Sequence, residues 1–293
     1  MSYKFSLKKH SLGYYEVSPK PSVIELSQHY EQKYYQENSG NYQHDYSDEE
    51  LRYIQLSGEI ALATLSKYQI STTPNLLDLG CGEGFFANTF NRKHWKTTLV
   101  DFSDDGLRRH NPSLIGNFIK ADLTTYIENN QENIEGFGLI NLDNVLEHVL
   151  DPDALLSSLK SCMHSNAVLR IEVPNDFSSF QDLLINLGCT EDTWVSPPEH
   201  LTYFNTASLK AFIESQGFEL VSLQSDFPIE QFLINDHSNY WRNRELGKGA
   251  HRARVIVTNY LASKDLDRLI DYQEAAADLE FGRSLIAYVR VAR

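Results

Sequence analysis

The sequence has few cysteines and no long apolar run. Its three cysteines, Cys81, Cys162 and Cys189, are widely separated in a chain of 293 residues, so they form neither a paired metal motif nor a disulfide framework. No apolar stretch approaches the roughly 20 residues that a membrane-spanning helix needs. The first residues include lysines but no apolar segment follows them, so no signal peptide is expected. We therefore expect a cytoplasmic protein with no membrane partner.

Basic charge is also scarce. The chain has 26 Lys and Arg against 40 Asp and Glu, a net charge of −14. A general nucleic-acid binder normally carries a basic surface, so no nucleic-acid partner is expected. The 41% of hydrophobic residues is that of an ordinary globular protein, with material for one large core or two modest ones.

Residues 1–73 are rich in tyrosine and polar groups, with helical periodicity in two stretches. In the second, Ser47 followed three positions later by Glu50 is a capping-box pattern, which predicts a helix start. Thr73-Pro74 marks a boundary. We interpret residues 1–73 as a helical N-terminal cap or lid.

From Asn75 the sequence alternates between short apolar strands and helical segments, which predicts a doubly wound α/β sheet. We assign residues 74–225 and 283–293 to this core. Residues 226–282 contain the helical stretch "DLDRLIDYQEAAADLEFG" and are interpreted as an insertion for substrate binding or oligomerisation.

Three glycines, Gly80, Gly82 and Gly84, follow the first core strand in "NLLDLGCGEGFF". Ligands of open α/β sheets bind outside the carboxyl ends of the strands, where bare backbone and a helix N-terminus are available. Tight packing alone also produces glycine-rich turns at this place. Asp101 and Asp122, which end the second and third strands, add a carboxylate for ribose hydroxyls and one for an adenine amino group. This convergence predicts a nucleoside site.

The turn does not suit a pyrophosphate. Phe85 stands where the dinucleotide fingerprint has its third glycine, and the turn contains Glu83 but no Lys or Arg. Asp78 just before the turn would repel a pyrophosphate and attract an ammonium group. These residues favour a cationic ligand.

With these features the chain resembles the class I S-adenosylmethionine-dependent methyltransferases. The matching blocks are "LLDLGCGEGFF", "LVDFSDDGL", "IKADL" and "LDNVLEHVLDP", within residues 74–223, and the last ten residues also fit. The resemblance implies a Rossmann-like, mostly parallel sheet of seven strands whose last strand is antiparallel. It also implies that S-adenosylmethionine is the cofactor.

The resemblance implies a cofactor role for two groups of residues. The methionine moiety is expected at Asp78, Gly80, Gly82, Asp143 and Asn144. The ribose and adenine are expected at Asp101, Phe102, Asp122 and Leu123. The tyrosines Tyr34 and Tyr35 are assigned to a lid over the cofactor.

Two histidines are candidates for catalysis, because a hydroxyl acceptor must lose a proton and histidine titrates near neutral pH. His148 follows Glu147 in "LEHV", and His200 lies in "PPEHLTYF". A structural hydrogen bond is the alternative for each. Glu147 would brace its loop or ligate a metal, as in some related quinone methyltransferases. No second carboxylate cluster accompanies it, so no metal is expected.

A basic segment, "WRNRELGKGAHRARV", interrupts the acidic chain. Arginine suits phosphate, so Arg242, Arg244 and Arg252, with Lys248 and Arg254, are candidates for holding an anionic acceptor. Tyr203 is assigned to the acceptor as well. A solvated helix face or a contact in a homo-oligomer remains an alternative for the basic segment.

The sequence therefore predicts a small-molecule methyltransferase, with O-methylation as the leading interpretation. The layout is similar to that of methyltransferases of bacterial surface-polysaccharide biosynthesis, which implies a sugar or a phosphorylated intermediate as acceptor. Three alternatives stay open: an NAD-dependent oxidoreductase, a protein methyltransferase and a non-catalytic S-adenosylmethionine-binding partner.

Overall fold

A seven-stranded sheet forms the centre of the computed structural model, which describes residues 5–26 and 45–292. Its spatial order is β5-β4-β3-β6-β7-β10-β9. The strands are β3 (Asn75–Leu79), β4 (Lys96–Asp101), β5 (Phe118–Lys120), β6 (Leu139–Asp143), β7 (Val168–Pro174), β9 (Phe218–Ser225) and β10 (Ser284–Val291). The pairs among β3 to β7 are parallel, and β10 is antiparallel to both of its neighbours. The predicted sheet, including its antiparallel last strand, is confirmed.

Helices cover both faces of this sheet. On one face the core joins strand residues to α1 (Asp48–Lys67), α2 (Phe85–Arg92) and α3 (Asp105–His110). On the other face it joins them to α4 (Leu123–Asn129), α5 (Gln131–Ile134), α6 (Pro152–Cys162) and α8 (Thr206–Ser215). The capping box predicted at Ser47 and Glu50 is present at the start of α1.

Three further helices complete the described part of the chain: α7 (Ser179–Asn186), α9 (Gly247–Lys264) and α10 (Leu266–Asp278). A separate apolar cluster joins Leu56 and Ile60 of α1 to Ala262, Leu269 and Ile270 of α9 and α10. The segment 226–282 is therefore packed against the N-terminal helix. No helix within the two described ranges is long and apolar enough to cross a membrane.

A small second sheet was not anticipated from the sequence. Strands β1 (Ser6–Lys9) and β2 (Tyr15–Ser18) form an antiparallel hairpin, and β2 also pairs with β8 (Thr202–Tyr203). The N-terminal segment, interpreted above as helical, thus begins with strands. The four-residue strands "SLKK" and "YEVS" are too short to give a clear alternating pattern.

At Gly84 the packing of the turn leaves no room for a side chain. Its φ is +76°, and a Cβ there would lie 2.3 Å from Cδ1 of Leu107. We expect Gly84→Ala to lower the free energy of unfolding by about 2 kcal/mol, measured by chemical denaturation. Gly116→Ala is the matched control, since a Cβ there meets nothing within 4 Å. Equal stability of the two variants would contradict this account.

Candidate active site

The carboxyl ends of the parallel strands bring several acidic side chains to one edge of the sheet. Asp78, Asp101 and Asp143 lie at the ends of β3, β4 and β6, and Glu172 lies near the end of β7. The strand register places Asp78 beside Asn141 and Asp143 beside Glu172. Asp78 and Asp101 thus lie at strand ends as predicted, whereas Asp122 lies two residues beyond β5 and caps α4.

The glycine turn joins this edge to α2. Gly80 and Gly82 have φ values of +78° and +51°, conformations that favour glycine. A Cβ on Gly80 would lie 2.5 Å from Cγ2 of Val145. The amide of Gly82 donates to Oδ2 of Asp101 at 2.9 Å, which fastens the turn to β4.

Asp78 has one satisfied and one unsatisfied oxygen. The side chain is 1% exposed, and its Oδ1 accepts a 2.7 Å hydrogen bond from Nδ2 of Asn141. Its Oδ2 is buried and has no hydrogen-bond partner in the described ranges. Burial raises the pKa of Asp78 to about 7. An ammonium group would satisfy the second oxygen and favour the ionised carboxylate, so Asp78 fits the amino-acid end of the expected cofactor.

The ribose and adenine side also fits. Asp101 accepts from the amides of Gly82 and Ser103, and burial raises the pKa of its carboxyl group. Phe102 directly follows it and is 54% exposed, so its ring is accessible to an adenine. Asp122 is exposed and caps α4 by accepting from the Thr125 amide, whereas Leu123 is buried.

Asp143 and Asn144 lie next to the Asp78 position. The Nδ2 group of Asn144 donates to Oδ1 of Asp143 at 2.8 Å, and the amide of Asn144 donates to the Glu172 carbonyl at 3.0 Å. Asn144 has a φ of +51°, and its side chain is exposed. This loop is therefore held in shape by backbone and side-chain bonds while it presents polar groups to the site.

The sequence analysis missed Arg170, the centre of the polar network at this edge. Arg170 is 2% exposed and donates to Asn141 Oδ1 at 2.8 Å, Asp143 Oδ2 at 3.2 Å and Ser57 Oγ at 3.0 Å. It also forms an ion pair with Glu172. The sequence pattern that could have identified these residues is a polar side chain within an apolar strand. Arg170 has this position in "VLRIEVP" and Asn141 in "LINLD".

The two candidate histidines lie together beyond β6. Their ring centroids are 4.8 Å apart with an interplanar angle of 85°. Nδ1 of His148 lies 2.7 Å from the Glu199 carbonyl. Because a carbonyl only accepts, this nitrogen carries the proton and Nε2 carries the lone pair of the neutral ring.

Glu147 adjoins the two histidines and is 1% exposed. Burial raises the pKa of its carboxyl group, and neither oxygen has a hydrogen-bond partner in the described part of the chain. Its Oε1 lies 3.7 Å from Nε2 of His148. Ligand atoms of Glu147, His148 and His200 fall within 4.8 Å of one another, a spacing at which the three side chains can surround a small cation or share a proton.

The predicted acceptor residues are dispersed. Tyr203 is 1% exposed, and its hydroxyl donates to the His200 carbonyl at 2.9 Å. Arg242 forms an ion pair with Asp236, and Arg252 lies on α9 with an exposed side chain. Arg244 lines a cavity, described below.

The tyrosines Tyr34 and Tyr35 lie outside the described residues. A different N-terminal tyrosine, Tyr46, reaches the glycine turn, where its hydroxyl donates to the Glu83 carboxylate at 2.9 Å. Tyr46, two positions before the start of α1, thus touches the turn that the resemblance assigns to the cofactor.

A family model described as a methyltransferase domain matches residues 46–223. The structure of an S-adenosylmethionine-dependent methyltransferase from Archaeoglobus fulgidus shares 19% identity and covers 80% of this chain and 94% of its own, with a TM-score of 0.47. A counterpart from Clostridium acetobutylicum shares 11% identity over 93% of this chain and 100% of its own, with a TM-score of 0.46.

The 4+2 cyclase SpnF shares 14% identity and covers 94% of this chain and 98% of its own, with a TM-score of 0.50. At these identities the structural likeness concerns the fold alone. A search of curated protein sequences found no match.

Asp78 provides a direct test of the site. We expect Asp78→Asn, which keeps the shape and removes the charge, to weaken binding of S-adenosylmethionine by about 30- to 100-fold, or about 2–3 kcal/mol. Isothermal titration calorimetry measures this change. Asp105→Asn, in an exposed carboxylate at the start of α3, should leave the affinity within twofold. Unchanged affinity of the Asp78 variant would disprove the assignment.

Proposed function

The chain belongs to the S-adenosylmethionine-dependent methyltransferases, and from this premise we propose that it methylates a hydroxyl group of a small polar molecule, with a sugar or a sugar phosphate as the acceptor. The family match displaces the oxidoreductase alternative. The proposal rests chiefly on a cavity at the carboxyl edge of the sheet.

The cavity has a volume of about 470 Å³, within the range of small-molecule sites. Its walls come from α7 and the loop after it, from residues 229–247, and from Arg283 just before β10. All three segments lie at the carboxyl edge of the parallel strands, the edge to which the cofactor residues are assigned.

The walls combine aromatic and polar side chains. Trp194, Tyr240 and Trp241 line the cavity, and flat rings of this kind pack against the apolar face of a sugar. Glu230 and Arg283 also line it. Arg283 pairs with Asp176 at 2.7 Å and approaches Glu230 at 3.7 Å, so the charges of this wall are largely balanced. A neutral, polyhydroxylated ring suits such a surface better than a purely apolar acceptor.

Arg244 supports an anionic substituent on that ring. It lines the cavity, its side chain is exposed, and no ion-pair partner for it lies among the described residues. Its guanidinium group is therefore available to a phosphate. Arg242 pairs with Asp236, and neither it nor Arg252 lines the cavity, so we assign the anionic group to Arg244.

Packed aromatic rings connect the cavity wall to His200. Ring contacts lead from Trp194 to Phe177, then to Tyr203 and His200, with successive centroid distances of 5.8, 6.0 and 6.1 Å. We propose that His148 takes the hydroxyl proton at Nε2, because the Glu199 carbonyl holds the proton on Nδ1. Burial raises the pKa of Glu147, whose Oε1 lies 3.7 Å from this Nε2 atom, and the positive charge of the imidazolium favours the ionised form of this carboxyl group, so that the two charges stabilise each other.

Bound S-adenosylmethionine supplies an already activated methyl group. The chain itself must hold the acceptor oxygen in line with that methyl group, accept the proton of the acceptor hydroxyl and exclude water. The proposal assigns these tasks to the cavity walls, to His148 and to the packing of residues 226–282 on α1.

The test is incubation of the purified protein with methyl-labelled cofactor and fractionated small metabolites, followed by mass spectrometry of the labelled product. A methyl ether on a sugar supports the proposal. Label only in protein would favour a protein methyltransferase, and cofactor binding without transfer to any acceptor pool would favour a non-catalytic role. Activity that disappears with a chelator would contradict His148 as the base.

Two variants examine the roles separately. We expect Trp241→Ala to raise the KM for the acceptor about tenfold with little change in cofactor affinity, because it removes one wall of the cavity. Tyr260→Ala is the control, since this tyrosine lies in the same segment but is 58% exposed. A normal KM for the tryptophan variant would overturn the cavity assignment.

We expect His148→Gln to lower kcat by about 100-fold or more in steady-state assays.

A further inference from the structure

The hydrogen bonds around Asn141 have a definite direction. An amide side chain has one accepting and one donating end, and the two look alike in shape. Asn141 is fully buried between Asp78 and Arg170. An arginine has only donors, so the oxygen of Asn141 must face Arg170, at 2.8 Å from Nη1. The NH₂ group must then face Asp78.

We propose that Arg170 is the positioning residue of the cofactor site: by holding the Asn141 oxygen, it turns the Asn141 amide so that one oxygen of Asp78 is occupied and the other is kept for the cofactor's ammonium group. Arg170 does not itself reach the cofactor in this proposal. The inference concerns cofactor binding alone and is independent of the acceptor.

Other contacts keep Arg170 from moving. Its guanidinium group lies over the Phe86 ring at 4.9 Å from the centroid and donates to Ser57 of α1. Its ion pair with Glu172 holds the second Nη group. The side chain is therefore held by contacts on β6, β7, α1 and α2, of which those on β6 and β7 remain when the bond to Ser57 is removed.

The charge balance also favours a cationic ligand. Arg170 carries one positive charge and forms ion pairs with Asp143 and Glu172. Asn141 connects it to a third carboxyl group, that of Asp78. Charged groups act on Asp78 from the two neighbouring strands and from the one beyond: Asp143 on β6 and Asp101 on β4 raise the pKa of Asp78, and Arg170 on β7 lowers it. Carboxylates therefore outnumber the buried cation at the end of the site that would hold the ammonium group.

The pH dependence of cofactor binding follows from these groups. Burial raises the pKa of Asp78 to about 7 in the free protein, and an ammonium group binds the ionised form. Binding then weakens as the pH falls through 7. With a pKa of about 7, the dissociation constant should be about 25-fold larger at pH 5.5 than at pH 7.5.

The experiment is calorimetric titration with S-adenosylhomocysteine between pH 5.5 and 9, for the unaltered protein and for Arg170→Met and Asn141→Leu. Each variant removes an interaction that lowers the pKa of Asp78. We expect the midpoint of the pH dependence to rise by about one unit in both. At pH 7 this weakens binding about fivefold more than at pH 9. The ligand's own titration is the same for every variant and cancels in the comparison.

Ser57→Ala is the matched control, because it removes a bond of Arg170 but leaves the Asn141 orientation intact; its midpoint should not move. If Arg170→Met does not fold, Arg170→Lys keeps the charge and should shift the midpoint in the same direction by less. A purely structural role would weaken binding equally at every pH. A uniform loss in Arg170→Met, or an unshifted midpoint in Asn141→Leu, would overturn the proposal.

Discussion

Burial of many carboxylates at one sheet edge is the constraint around which this molecule is arranged. Isolated buried carboxylates are costly, and a close pair cannot both ionise without a compensating charge. Two arginines supply that charge. Arg170 pairs with Asp143 and Glu172 near the centre of the sheet, and Arg283 pairs with Asp176 and approaches Glu230 nearer its β9 side.

Each arginine organises one compartment. Arg170, through Asn141, orients the groups around Asp78, where a cationic cofactor end fits. Arg283 lies in the wall of the aromatic cavity, and its backbone amide donates to Asp226 at the end of β9. Asp226 and Asp143 both raise the pKa of Glu172, so the two compartments are electrostatically connected. A change of charge in one is expected to be felt in the other.

The sequence was sufficient for features that depend on local pattern. Alternating apolar segments predicted the strands, and the position of Asp78 and Asp101 at strand ends followed from the segment boundaries, while the role of Asp143 came from the family resemblance. Arg170 could not be paired with Asn141 in the same way, since their contact depends on the register between β6 and β7. The cavity escaped prediction because Trp194, Tyr240 and Arg283 are distant in sequence and meet only in the fold.

The glycine turn shows why a motif alone does not establish a ligand. Gly84 is required by Leu107, and Gly80 by Val145, so packing accounts for two of the three glycines whether or not anything binds. Gly82 has a positive φ and donates its amide to Asp101. The stronger evidence for a bound nucleoside is elsewhere: an unsatisfied buried oxygen on Asp78 and an exposed ring at Phe102. A cationic nucleoside placed between them would satisfy this oxygen and cover this ring.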